Sequence, residues 1–186
     1  VREILVKLGK DASAARNTQD LYKSVFRNLQ SLFPVDRGVI AVQSEDQKTL
    51  VIEHVDGLDV EGLSVGQTLR IDDLSGGILS QPQLTNSEEV QSNKPTDPAG
   101  GILASAGLLS NIRTPLRARD SVVGLLSTSA YGDNAYDSND LELLARVADQ
   151  IAPVIESLHL LDQVQSLAAT VETTSDLVAI TDLEGV

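Results

Sequence analysis

From about Ser138 to Glu172 the chain carries one long run of helical periodicity, and that run limits what the rest can be. Its apolar residues Leu144, Val147, Ile151, Val154, Leu158 and Leu161 advance in steps of three, four, three, four and three. That is the a/d rhythm of a coiled-coil seam. Two copies in parallel would bury the row against each other, and at about 1.5–3 kcal/mol per buried aliphatic side chain such a seam holds a dimer. The competing reading is that Leu144, Val147 and Ile151 pack on the domain's own sheet. Pro153 removes one helical hydrogen bond at a cost of about 3 kcal/mol, so a kink over Asp149–Pro153 is expected. Past Leu161 the row continues as Val164, Leu167 and Val171, where a second step of three shifts the register like a stammer.

Ahead of this helix the elements are short and mixed. Ile4, Leu5 and Leu8 make one helical stripe, and Leu21, Val25, Leu29 and Leu32 make a second that Pro34 ends. Asn17 is placed to cap the second helix, with Asp20 in its first turn. Gly38–Gln43 and Thr49–Val55 read as a hairpin around the polar turn Ser44–Lys48. Their near-continuous apolar content points to a sheet covered on both faces. From Asp56 to Gly101 the pattern dissolves, leaving a weak strand at Thr68–Ile71, a short helix near Ser75–Ser80 and an aperiodic loop from Gln81 to Gly101. Order returns with a helix around Ile102–Ala106 and strands at Leu108–Arg117 and Ser121–Tyr131. Asp137 then caps the long helix, with Asp140 in its first turn.

Composition removes several function classes. The chain has 186 residues and a formal charge of −13, with 14 scattered Lys and Arg. Nucleic-acid backbones and anionic membrane surfaces need clustered cations, so both are disfavoured as partners. Cysteine is absent, which excludes disulfides, thiolate metal sites, thiol nucleophiles and thioether-linked cofactors. No apolar run approaches the roughly 18 residues of a membrane helix. Val1 is not a native start, so a membrane anchor elsewhere in a parent protein stays open. Of the two histidines, His54 alternates with Leu50 and Ile52 and reads as a hydrogen-bonded structural residue ahead of a haem or proton ligand. His159, beside the seam position Leu158, reads as solvent-facing. Neither belongs to a convergent metal set, and no nucleophile–base or acid pair is visible, so the chain does not read as an enzyme.

The element order and particular residues resemble a GAF domain. Arg113, Pro115 and Leu116 on one strand match the family's C-terminal half, as do Val122, Gly124 and Leu126 on the next. So do Asp140 to Leu144 with Gln150 to Ala152 on the final helix. Upstream, FPVDRGVIAV with Asp36 and Arg37 resembles the family's first strand. The resemblance implies an α+β fold: a central antiparallel sheet, N- and C-terminal helices on one face, loops and short helices on the other. It places the domain at residues 1–160 and a helical signalling linker at 161–173. Residues 174–186, TSDLVAITDLEGV, resemble the opening of a PAS domain, a helix and strand leading to an Asp-x-x-Gly turn at Asp182 and Gly185.

The same resemblance bears on ligands. The family's reductases use cysteines and its bilin photoreceptors attach pigment through one, so neither chemistry is available. The cyclic-nucleotide members' Asn-Lys…Phe…Asp-Glu set is absent, and Asn93-Lys94 stands alone. What remains is an unidentified small molecule held between the sheet and the middle loops. Ser127 and Ser129 share a strand face with Leu125 and Tyr131 and need hydrogen-bond partners there, from ligand or water, or else from neighbouring side chains. Thr114 and Asp73 are further candidates. Arg113 reads as a tie between strand and loop, and Gly76-Gly77 as a weak anion signal at a helix start.

GAF, helical linker and PAS together are the arrangement of bacterial sensors such as histidine kinases and diguanylate cyclases. The chain therefore reads as a cytoplasmic, homodimeric sensory module that passes a signal through its exit helix to PAS and output domains. The alternative is a ligand-free dimerisation spacer.

Overall fold

The computed structural model describes residues 2–74, 77–86 and 98–183, with side chains described for 3–74, 77–86 and 98–170. Its elements are α1 (Arg2–Ala14), α2 (Thr18–Leu29), β1 (Arg37–Gln43), β2 (Thr49–Gly57), β3 (Thr68–Arg70), a 3₁₀ turn (Ile71–Asp73), β4 (Gln83–Thr85), α3 (Pro98–Ser105), β5 (Ser110–Ala118), β6 (Ser121–Ala130) and α4 (Ser138–Leu183). The strands form a six-stranded sheet in the order β3-β2-β1-β6-β5-β4, antiparallel at every pairing. This is the α+β arrangement expected.

Both helix starts are set by side-chain caps. Asn17 Oδ1 accepts from the Asp20 amide at 2.8 Å, and Asp137 Oδ1 accepts from the amides of Asn139 and Asp140 at 2.7 and 3.0 Å. Each supplies an acceptor to a first-turn N–H that has no carbonyl within the helix. Leu21, Val25 and Leu29 on α2 are fully buried, as is Leu8 on α1. They join Ile40, Ile112, Leu116 and Leu126 from the sheet, and Leu144, Val147, Ile151 and Ile155 from α4, in one core. The opposite face of the sheet buries Ala41, Leu50, Ile52 and Leu125 under Leu63, Leu74 and Ile78. That second cover comes from the segments between β2 and β5, α3 among them.

Four local expectations are corrected. The aperiodic loop contains an edge strand, β4, which three residues with no alternation could not announce. Residues 77–80 form a hydrogen-bonded turn, with Ser80 N donating to Gly77 O, and not a helix; Ser75 and Gly76 lie outside the described residues. Helix α3 begins at Pro98, four residues before the expected start at Ile102, because proline's missing N–H is tolerated in a first helical turn. Finally, α4 continues through Pro153 to Leu183, helical where a strand ahead of the Asp-x-x-Gly turn was expected; Gly185 of that turn lies outside the described residues.

A further correction concerns His54. Ile40 pairs with His54 but Ala41 pairs with Ile52, so Glu53 is an extra residue in β2. Such a bulge reverses the facing of the residues beyond it. Leu50 and Ile52 point away from the helices, whereas His54 points toward them and stacks on Phe26 at 5.5 Å, with Tyr22 at 5.7 Å. It is buried, but its Nε2 has no hydrogen-bond partner among the described residues. Burial holds its pKa below the ordinary histidine value.

Where the two central strands meet, Gly124 lies against the Ala41 carbonyl, and an added Cβ would overlap that oxygen. The neighbour is backbone and cannot swing aside. Gly124→Ala is expected to destabilise the domain by about 1–3 kcal/mol, the usual range for overpacking. Urea denaturation followed by circular dichroism checks this, and an unchanged midpoint would refute the close approach.

Candidate functional site

The cavity on the loop-covered face has a polar end built by register. Arg37 on β1 pairs with Ser129 on β6, which pairs with Asn111 on β5. One step along, Val39 pairs with Ser127 and Ser127 with Arg113; beyond them Ala41 faces Leu125. The five polar side chains therefore lie in two adjacent rows across three strands, and an apolar floor continues from them. Leu63, Leu74, Ile78 and Leu103 close the other side.

Hydrogen bonds hold the polar end in place. Asn111 Nδ2 donates to Ser127 Oγ at 2.9 Å, to Ser129 Oγ at 2.8 Å and to the Thr128 carbonyl at 3.0 Å. Its Oδ1, equally buried, has no partner among the described residues. The Arg37 guanidinium donates to the carbonyls of Leu58 and Leu63, which ties the connection after β2 to the sheet. Burial pulls its pKa below the usual arginine value and Asp59 opposes that pull. An arginine stays cationic regardless. Arg113 is 6% exposed and lines the same space. Arg37 and Arg113 thus both line the cavity. The volume is ≈ 50 Å³.

Of the expected site residues, Ser127 and Ser129 are brought together here. Thr114 is not: it pairs with Leu126 on the helix-covered face. Asp73 is also elsewhere, exposed on the 3₁₀ turn with its carboxylate 3.7 Å from Arg70. Asn111 and Arg37 went unrecognised as site residues. Asn111 shares strand parity with Arg113, and Ile112 and Leu116 mark the other face as core, so alternation on β5 held the signal. Arg117, two residues past Pro115, donates to the carbonyls of Leu79 and Ser80 at 2.8 Å and so fastens strand to loop.

The exit helix also sits differently from the expected seam. Leu144, Val147 and Ile151 are fully buried in the domain's own core, so they cannot pair with a second copy. Val154 and Leu158 are half-buried against that core, while Leu161 is 49% exposed. His159 is half-buried and not solvent-facing, its Nε2 lying 3.1 Å from Glu53 Oε2. The same oxygen accepts from the Tyr22 hydroxyl at 2.6 Å. Burial pushes the Glu53 pKa up, but the hydrogen bonds from His159 and Tyr22 outweigh it and leave the carboxylate below its ordinary range. Hydrogen bonding to Glu53 raises His159 against the opposing effect of burial. Among the described residues, no cluster of three or more His, Asp or Glu could hold a metal ion, and no helix is long and apolar enough to cross a membrane.

Comparison with known proteins adds a family. The sequence profile of the GAF domain matches residues 15–156. No curated protein matches the chain. Among solved structures, the GAF domain of a two-component sensor histidine kinase from Bacillus halodurans superposes with a TM-score of 0.68 at 21% identity, covering 80% of this chain and 99% of that one. The GAF domain of an Acinetobacter phosphoenolpyruvate-protein phosphotransferase gives 0.69 at 16%, covering 87% and 96%. The phycoerythrobilin-bound GAF domain of a cyanobacterial phytochrome gives 0.67 at 15%, covering 86% and 96%. At these identities the likeness is one of fold.

Asn111 is the hub of the polar rows. Asn111→Ala is expected to destabilise the domain by about 1–3 kcal/mol, because two buried serine hydroxyls lose their shared partner. Chemical denaturation of the variant measures this, and a change below about 0.5 kcal/mol, ordinary for surface sites, would mean those bonds carry nothing.

Proposed function

The chain belongs to the GAF domain family, whose members are regulatory and sensory modules, and from that premise we propose that it senses a small organic anion and reports it through its exit helix. The observation that carries this reading is the cavity's polarity. Arg37 and Arg113 border one end with Asn111, Ser127 and Ser129, and the rest of the wall is aliphatic. In a chain of net charge −13, the buried and permanently cationic Arg37 on this wall favours a ligand with an anionic head and an apolar body. The unpartnered Asn111 Oδ1 offers an acceptor beside it. A volume of ≈ 50 Å³ holds a few waters at about 10–15 Å³ each, so a ligand enters by displacing the loop-built cover.

Strand β2 supplies the route outward. Ile52 lines the cavity and the next residue, Glu53, bonds the exit helix through His159. A ligand that shifts Ile52 shifts the peptide that carries Glu53. The population of exit-helix positions then changes. Outside the core, Leu160, Leu161, Val164 and Leu167 are 55, 49, 62 and 68% exposed. Leu161, Val164 and Leu167 form the part of the row left for pairing with a second copy, with Leu160 beside it. In this reading the homodimer is cytoplasmic and hands the signal along α4 to a PAS domain and to output domains in the same parent chain. The spacer reading has one observation in its favour: the cavity is small, and its serines already bond Asn111.

Thermal denaturation against a panel of small carboxylates and phosphates, their neutral analogues, cyclic nucleotides and haem separates the two. An anionic ligand at a hundredfold excess over its Kd adds about 2.7 kcal/mol and raises Tm by several degrees. Arg113→Gln is expected to abolish most of that shift. No shift with any compound would leave the spacer. For the dimer, sedimentation velocity at high micromolar concentration is expected to give a dimer for the wild type and a monomer for Leu161→Asp; a monomeric wild type removes the pairing.

A further inference from the structure

The Tyr22–Glu53–His159 cluster stands at a particular place. Past Leu158 and His159, every described side chain of α4, from Leu160 to Thr170, is exposed. His159 is therefore the last described residue of the exit helix that is not exposed. Its partner Glu53 is the bulged residue of β2, and Tyr22 brings α2 to the same carboxylate oxygen. Three elements meet at one atom, where the helix leaves the fold.

We propose that this cluster is a pH-dependent clasp on the exit helix, closed while His159 carries a proton and loosened when that proton leaves. The charges around His159 are of one sign. Glu53 faces it from β2, Glu45 borders the same groove from the β1–β2 turn, and Asp162 lies one turn on along α4; from α2 comes the neutral Tyr22 hydroxyl. A proton on the imidazole makes the 3.1 Å contact a charge-assisted hydrogen bond in a partly buried site. Without that proton, one ring nitrogen remains only a neutral donor or acceptor, and the acidic groove has no cation.

The direction comes from linkage. His159 gains an acidic partner on folding, so its folded pKa lies above its ordinary value of 6.5. That stabilisation is complete below 6.5 and disappears as pH rises through the folded value. Glu53 lies below its ordinary 4.5, so its contribution is present above 4.5 and is lost as pH falls through its folded value. The clasp is thus fully charged between about 4.5 and 6.5 and opens on the alkaline side. His54 titrates in the opposite sense, since burial lowers it. It faces Phe26 and Tyr22, with Asp56 and Lys23 the nearest charges. The clasp requires no ligand in the cavity, so it can hold or fail whatever the panel of compounds shows.

With two histidines in the chain, imidazole NMR resolves each ring in the intact protein. His159 is expected to titrate above 6.5 in the wild type and to fall back in Glu53→Gln. Amide hydrogen exchange over 156–170, corrected for intrinsic rates, is expected to lose several-fold protection between pH 5.5 and pH 8. His159→Arg, with a permanent charge, is expected to remove that pH dependence. Tyr22→Phe tests the third member while keeping the ring, and is expected to lower the protection at both pH values. His159 titrating at or below 6.5 would overturn the clasp. So would wild-type protection that does not change with pH, or an arginine variant that keeps the wild-type pH dependence.

Discussion

Every part of this domain answers to a sheet that is denied water on both faces. Strands β1 and β6 lie at its centre, and the approach of Gly124 to the Ala41 carbonyl sets how closely they sit. Ile40 and Leu126 point one way, and Ala41 and Leu125 the other. Each face therefore needs its own cover, and the two covers are built from different materials. Helices α1, α2 and α4 supply long apolar stripes that fit the pleat and exclude water completely. The opposite cover is assembled from connecting segments, held by carbonyls that accept from Arg37 and Arg117. This cover of connecting segments and the short α3 leaves the cavity that Arg37, Asn111 and Ser127 line.

Most of the helix-covered half was legible in the sequence because its signals are local and periodic. Asn17 and Asp137 cap where cap chemistry places them, and the stripe from Leu21 to Leu29 is buried as its spacing requires. What failed was parity. His54 comes after Leu50 and Ile52 in the sequence, yet the extra residue Glu53 turns it to the other face. Nothing in LVIEHV announces a bulge, since bulges are set by how two strands fit together. Thr114 failed for a related reason. On a strand buried on both sides, polarity alone does not tell the faces apart, and Asn111 and Arg113 stood on the other parity. Ser127 and Ser129 lie together on the cavity face because β6 keeps its alternation from Leu125 to Ala130.

The apolar row on the exit helix shows how one pattern serves two purposes. Three-four spacing satisfies a coiled-coil partner and a sheet equally, since both ask only for a stripe. Leu144, Val147 and Ile151 take the sheet, Val154 and Leu158 are intermediate, and Leu161 faces out. Burial therefore decays along the helix between Ile151 and Leu161, where the sequence repeat still runs in regular three-four steps. A repeat count cannot locate that change of environment.

The change falls within a few residues of His159, which gives the junction its mechanical weight. N-terminal to it, α4 is fixed by a core whose rearrangement would expose many buried aliphatic groups, and such a core does not move for a weak stimulus. C-terminal to it, the described side chains are exposed and respond to whatever the helix next meets. A stimulus of modest energy can act only where the restraint is also modest. That place is the half-buried contact of His159 with Glu53. Because Ile52 and Glu53 occupy opposite faces at the bulge, this contact is one peptide unit from the cavity wall. Consecutive strand residues face opposite sides of a sheet, so a displacement of Ile52 on the cavity face reaches Glu53 on the helix face through a single peptide.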